Sequence, residues 1–255
     1  MNILIGLVLA VVFLVLGIPG LAQNWQVYID VPSIYLVIGG TIASTMTGVS
    51  IKEFTGIFKV VKVILFGAKN QLNIHGAINT MIAVAEAAQS TSKQNLGSSF
   101  AGKDGFLDRG LEMVAAGIEK DFIDQTLETD ISELVKRHNK MTNVIRTMGS
   151  YCPMFGMLGT ILGVIQVLKD VSSIDTIIAG MSLALLTTLY GLFFSSIVFI
   201  PLTNKLKSLS NDEKLSKEII REGILLVMDK EIPLKVEKYL TSYITSNEKE
   251  KFAKS

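Results

Sequence analysis

The sequence predicts an all-α fold: a polytopic membrane protein with four transmembrane helices and a helical cytoplasmic domain. Three observations carry this. The chain is 49% hydrophobic with a mean hydropathy of +0.45, more apolar than an ordinary soluble domain. The charges are segregated, with Asp30 the one charged side chain in the first 51 residues. Apolar residues recur with helical spacing between Gly and Pro breaks, and no run alternates as a strand would.

Taken in order, residues 2–21 and 31–51 are uncharged except at their flanks, and each is about 20 residues long, enough to cross a bilayer core. Gly20-Leu21-Ala22 loosely resembles a signal-peptide cleavage site, but no Lys or Arg precedes the first apolar run, so it reads as a retained span. FTGIFKVVKVILF (54–66) is amphipathic, with Lys59 and Lys62 on one side, and is expected at the membrane edge. IHGAINTMIAVAEAAQS (74–90) is a helix rich in Ala and Met. STSKQNLGSSFAGKDG is a Ser/Gly-rich break. FLDRGLEMVAAG is a short helix ended by Gly117. From Asp121 one long helix is expected to run into a third span, uncharged between Arg146 and Lys169. The fourth span, uncharged between Asp175 and Lys205, is expected to continue as a helix past Pro201. Pro233 starts a last short helix before a charged tail. The resulting division is 1–51 for spans one and two, 52–146 for a cytoplasmic helical domain, 147–204 for spans three and four, and 205–255 for C-terminal cytoplasmic helices and tail.

Lys and Arg set the orientation. The loop at 23–30 has none and the loop at 169–175 has one, against twelve from Lys52 to Arg146 and eleven from Lys205 onward. The positive-inside rule places the long segment and both termini in the cytoplasm. A net charge of +1 carries no nucleic-acid signature. Cys152, the single cysteine, cannot form a disulfide within the chain, and with His75 and His138 makes no convincing metal site. Nucleotide-loop, zinc-protease and nucleophile-elbow motifs do not occur, so neither an enzyme nor a cofactor is indicated.

Small residues recur four apart in the spans: Gly159 and Gly163, with Gly156, in span three; Gly40, Ser44 and Gly48 in span two; Gly180, Ala184 and Gly191 in span four. Such spacing forms a groove where another backbone approaches closely, and several grooves in one chain point to dense helix packing and an oligomer. No span contains Asp, Glu, Lys, Arg or His, whereas ion-translocating proteins place ionisable groups in the membrane. The spans offer hydroxyls: Thr160, Thr187 and Thr188, with Ser195 and Ser196. Their bland role is a bond to their own helix backbone. If ions cross here, a partner must supply the carboxylate.

DVPSIYLVIGGTIAS (30–44), LETDISELVKRHNK (127–140), CPMFGMLGTILGVIQVL (152–168) and ALLTTLYGLFFSSIVFIPLTNKL (184–206) occur in this order. They resemble the second-span entry, the charged helix before span three, and spans three and four of the MotA/PomA flagellar stator proteins, within the MotA/TolQ/ExbB family. The resemblance covers nearly the whole chain. It implies a bacterial inner-membrane protein that forms a homopentameric ring in membrane lipid around two copies of a MotB-type subunit. That partner brings one span with an ion-binding aspartate and anchors to peptidoglycan. Ion flow would turn the ring against the rotor protein FliG. It further implies that Pro153 and Pro201 serve torque generation, that the glycines serve packing in the ring, and that Thr160 faces the partner helices in the ion path. The threonine set Thr160, Thr187 and Thr188 resembles that of sodium-type stators, so the expected coupling ion is Na⁺, with H⁺ the alternative. Rotor-contact candidates are Arg109, beside the family-like Gly110, with Glu112, Glu119 and Lys120; positions 107 and 115 depart from the pattern as Leu and Ala. The competing readings are a TolQ/ExbB-type energiser of an envelope protein, disfavoured by four spans, and a non-conducting membrane scaffold.

Overall fold

The computed structural model describes residues 2–17, 23–66, 73–90, 100, 102, 104–246 and 248–249. The cleavage-like Gly20–Ala22, most of the Ser/Gly-rich break, the end of the charged tail, and the side chains of Lys59 and Lys62 lie outside the described residues. The described chain is helical throughout and contains no strand. Its helices are α1 (Asn2–Gly17), α2 (31–48), α3 (Ile51–Phe66), α4 (Ile74–Ser90), α5 (Gly105–Ala115), α6 (Lys120–Lys169), α7 (Ile174–Met228) and α8 (Pro233–Leu240). Two compact units emerge, 1–67 with 139–207 and 68–138 with 208–255.

Among the described residues, three helices are long and apolar enough to cross a membrane: Trp25–Gly48, α6 and α7. The expected first span, 2–21, is described only as far as Gly17. α1 has 16 described residues, about 24 Å at 1.5 Å per residue, short of a hydrocarbon core of about 30 Å. The residues that would lengthen it, 18–22, are outside the described set.

Local sequence fixes the ends of these helices. Asp30 caps α2, its carboxylate accepting from the Ser33 N–H at 2.9 Å, and Pro32 sits in the first turn, where a missing N–H costs nothing. Ser50 and Glu53 form a reciprocal capping box at the start of α3, at 3.1 and 3.3 Å. Ser173 caps α7. At the end of α5, Gly117 takes φ +75°; its N–H reaches Val114 and that of Ile118 reaches Met113, the paired bonds that a left-handed residue permits after a helix. Short π segments interrupt α2 at Tyr35–Gly39 and α7 at Phe194–Phe199.

In the second unit, α4, α5, α8 and the unit's parts of α6 and α7 enclose one apolar core. Ile78, Met81, Leu107, Leu111, Ile123, Leu127, Ile220, Ile224 and Leu240 are fully buried within it. Leu107, one of the two departures from the family-like pattern, is thus a core residue. Two glycines let the helices approach: a side chain on Gly110 would strike Ile224, and one on Gly223 would meet Met81 at 2.6 Å.

An ion pair lies inside this unit. Lys217 Nζ bonds both carboxylate oxygens of Asp104 at 2.6 Å, with side-chain exposures of 9% and 3%. Asp104 also caps α5 through the Phe106 N–H at 2.9 Å, and the Phe106 ring lies 5.2 Å from the ammonium. Removing one member strands a desolvated charge. Lys217→Met should therefore destabilise the unit by roughly 3–5 kcal/mol, whereas Lys217→Met with Asp104→Asn should recover part of the loss, because Asn still caps the helix. Thermal unfolding of the purified variants followed by circular dichroism checks the order.

Candidate functional site

In the first unit, spans three and four pack through their smallest residues. A side chain on Gly156 would meet the Thr187 carbonyl at 3.0 Å, one on Gly159 would strike the Thr187 side chain, and one on Gly163 would strike the Gly180 carbonyl and meet Ala184 N at 2.8 Å. From the other side, Gly180 faces the Gly163 carbonyl at 2.7 Å and Gly191 faces the Cys152 carbonyl at 2.7 Å. Gly156, Gly159, Gly163, Gly180, Ala184 and Gly191 are all buried. The expected grooves are thus filled within one chain, α6 against α7. In span two only part of the stripe is used: Gly40 abuts the Phe155 ring, while Gly48 faces open space.

The hydroxyls divide by burial. Thr160 and Thr188 are half-buried and Thr187 is fully buried. Thr160 donates to the Met157 carbonyl at 2.6 Å, Thr187 to Leu183 at 2.7 Å, and Thr188 to Ala184 at 3.2 Å. Each hydrogen is directed to its own helix. The oxygen lone pairs remain as acceptors, so Thr160 and Thr188 retain ligand capacity on partly open surface. Thr187 instead lies against Gly159.

The sequence reading overlooked a second set of buried hydroxyls. Ser33, Thr41 and Thr45 of α2 are 0–1% exposed. Thr41 donates to the Val37 carbonyl at 2.6 Å with Cys152 Sγ 3.3 Å away, and Thr45 donates to Thr41 at 2.7 Å. Tyr190 was also missed. Its hydroxyl donates to the Tyr28 carbonyl at 2.5 Å and accepts from the Asp30 N–H at 2.9 Å, tying span four to the entry of α2. The spacing of 33, 41 and 45 in multiples of four was visible in the sequence; the Tyr190 contact with Asp30, 160 residues away, was not.

Pro153 stands inside α6 without ending it. Proline has no N–H, so the carbonyl four residues back, that of Gly149, loses its helical donor. Ser195 Oγ of α7 donates to that carbonyl at 2.7 Å, in a buried position. Pro201 follows the π segment of α7, in which the Ile200 N–H reaches back five residues to Ser195. Both prolines are half-buried.

The rotor-contact candidates all lie in the second unit. Arg109 is exposed and paired with Asp130 at 2.7 Å; Lys120 pairs with Asp229 at 2.5 Å. The Asp229 hydrogen bond holds the Lys120 ammonium above the usual lysine range. Glu112 and Glu119 are exposed. Arg109 and Glu112 share α5, while Glu119 and Lys120 stand at the start of α6.

Comparison with known proteins covers the same ground. Residues 98–219 match the MotA/TolQ/ExbB proton channel family. The chain is 28% identical to the chemotaxis protein PomA of Vibrio alginolyticus, over 96% of each chain. It is 29% identical to motility protein A of Bacillus subtilis, over 98% of this chain and 93% of the relative. Its fold matches a chain of the flagellar MotAB stator complex from Bacillus subtilis with a TM-score of 0.88 and 28% identity, over 98% of both chains.

The packing sorts the glycines into two classes. Gly163→Val should force spans three and four apart and cost at least about 1–3 kcal/mol, whereas Gly48→Ala should stay within about 0.5 kcal/mol. Heat resistance of the detergent-solubilised chain, read by size-exclusion chromatography, separates them.

Proposed function

We propose that the chain, whose residues 98–219 match the MotA/TolQ/ExbB proton channel family, is the ring-forming subunit of a flagellar stator, converting ion flow into torque on a rotor. The observation that carries this is likeness along the whole chain, membrane and cytoplasmic units together, to a stator-complex chain over 98% of its length. A TolQ/ExbB-type energiser or an inert scaffold accounts less well for that end-to-end match.

In this reading the chain has four spans, α1 among them, and both termini on the cytoplasmic side. The twelve and eleven basic residues of the two long polar segments support that orientation. The proposed assembly is a pentamer around two copies of a single-span, peptidoglycan-anchored partner. The division of labour follows from chemistry. The partner carries the acid that binds the ion; this chain's spans have no Asp, Glu, Lys, Arg or His and supply hydroxyls, helix dipoles and shape. The first unit surrounds the ion, and the second carries the rotor-facing charges Arg109, Glu112, Glu119 and Lys120. Pro153 and Pro201 lie in the two helices common to both units, which suits them to transmit movement.

Na⁺ is the proposed coupling ion. A dehydrated sodium ion needs several oxygen ligands, as hard cations do, while a proton needs only the partner's carboxylate. Thr160 and Thr188 have lone pairs to offer; Thr187 supports them from within by filling the space beside Gly159.

Two outcomes test this function. Produced without a partner, the chain should pass no ions and leave growth unaffected, because hydroxyls alone do not replace an acid in the membrane; ion-dependent growth arrest by the chain alone would contradict it. Produced with its partner in a stator-less host, it should restore swimming whose speed rises with external Na⁺ at fixed pH and membrane potential, and Thr160→Ala should move that rise to higher Na⁺. Swimming indifferent to sodium would leave a proton-driven motor.

A further inference from the structure

Pro153 and Ser195 are 42 positions apart and on different helices, yet they meet at one atom. A proline at position 153 cannot donate to the Gly149 carbonyl, and its ring crowds that oxygen. In an apolar interior an unsatisfied carbonyl is costly, and membrane helices tolerate proline where a neighbouring Ser or Thr supplies the missing donor. Ser195 does so here at 2.7 Å, at 4% exposure.

The surroundings are shaped for this contact. A side chain on Gly149 would meet Phe199 Cβ at 3.2 Å, and one on Gly191 would meet the Cys152 carbonyl at 2.7 Å. The two helices are therefore in close contact on either side of the bond, backbone to backbone at Gly191 and against the Phe199 side chain at Gly149. Ser195 lies within the π segment Phe194–Phe199, and its own carbonyl accepts from the Ile200 N–H five residues on. The next residue is Pro201. Thus one serine receives the π-turn bond before one proline and satisfies the carbonyl freed by the other.

The geometry points to Ser195 as a positioning residue: its bond to the Gly149 carbonyl fastens the proline turn of span three to the π turn of span four, so that the two move as one lever. The contact itself is independent of the stator reading; its consequence for torque rests on that reading.

A double-mutant cycle tests it. Pro153→Ala restores an N–H to the Gly149 carbonyl, so Ser195 should then be dispensable there. Native, S195A, P153A and P153A/S195A chains are produced with the single-span partner and purified. S195A should lower the thermal midpoint by about 2–4 °C, while adding S195A to P153A should lower it no further. S195T, which keeps the hydroxyl, should restore the native midpoint. In motors carrying a bead load, the speed gained per added stator unit should fall for S195A and recover for S195T at unchanged membrane levels. An equal thermal loss in both backgrounds would overturn the bond's link to the proline. A normal speed increment for S195A would overturn its role in the lever. Failure of the native chain to turn any motor would count instead against the stator reading.

Discussion

Everything in the membrane unit depends on how closely the backbones of α6 and α7 approach each other. In a lipid surrounding there is little hydrophobic gain from bringing apolar helices together, so contact between main chains, and the hydrogen bonds this permits, must hold the pair. Glycine and alanine occupy the contact positions, and at Gly156, Gly163 and Gly191 the nearest atoms are those of the opposite backbone. A methyl group at several of these positions would part the helices, and with them the Ser195–Gly149 bond. The large residues Met154, Met157, Ile161, Leu162 and Ile165 remain exposed on the chain, where lipid or further subunits can cover them.

This packing also decides what the polar groups can do. With no charge in the spans, each hydroxyl must find a carbonyl, and its own helix is nearest. Thr41, Thr45, Thr160, Thr187 and Thr188 all take that solution. Ser195 and Tyr190 instead join one element to another. Ser195 meets a carbonyl that its own helix cannot serve. Tyr190 bridges the polar turn before α2, where backbone groups have no helical partners.

The second unit uses the opposite economy of forces. Its helices bury large aliphatic side chains in a shared core, and the deeply buried ion pair Lys217–Asp104 is satisfied at both carboxylate oxygens. Its surface pairs, Arg109–Asp130 and Lys120–Asp229, are open to solvent. Exposed pairs add little to stability, which leaves these charges available for recognition.

The sequence by itself determined the helical class, most of the helix limits and the uncharged character of the spans, because those follow from local properties: apolar period, caps, breakers and the run length between charges. Ile74–Ser90 and the left-handed Gly117 after α5 were legible in this way, as was the unbroken passage of α7 through Pro201. The capping box at Ser50 was legible and overlooked. The tertiary structure decided the partners. It showed that the glycine grooves of spans three and four fill each other, that Thr187 turns inward against Gly159, that Leu107 is core, and that Arg109 and Lys120 already hold acids. Above all it supplied the donor for the carbonyl that Pro153 leaves bare. Proline announces the missing hydrogen bond in the sequence, but the replacement comes from 46 residues beyond Gly149, and only the packed backbones bring the two together.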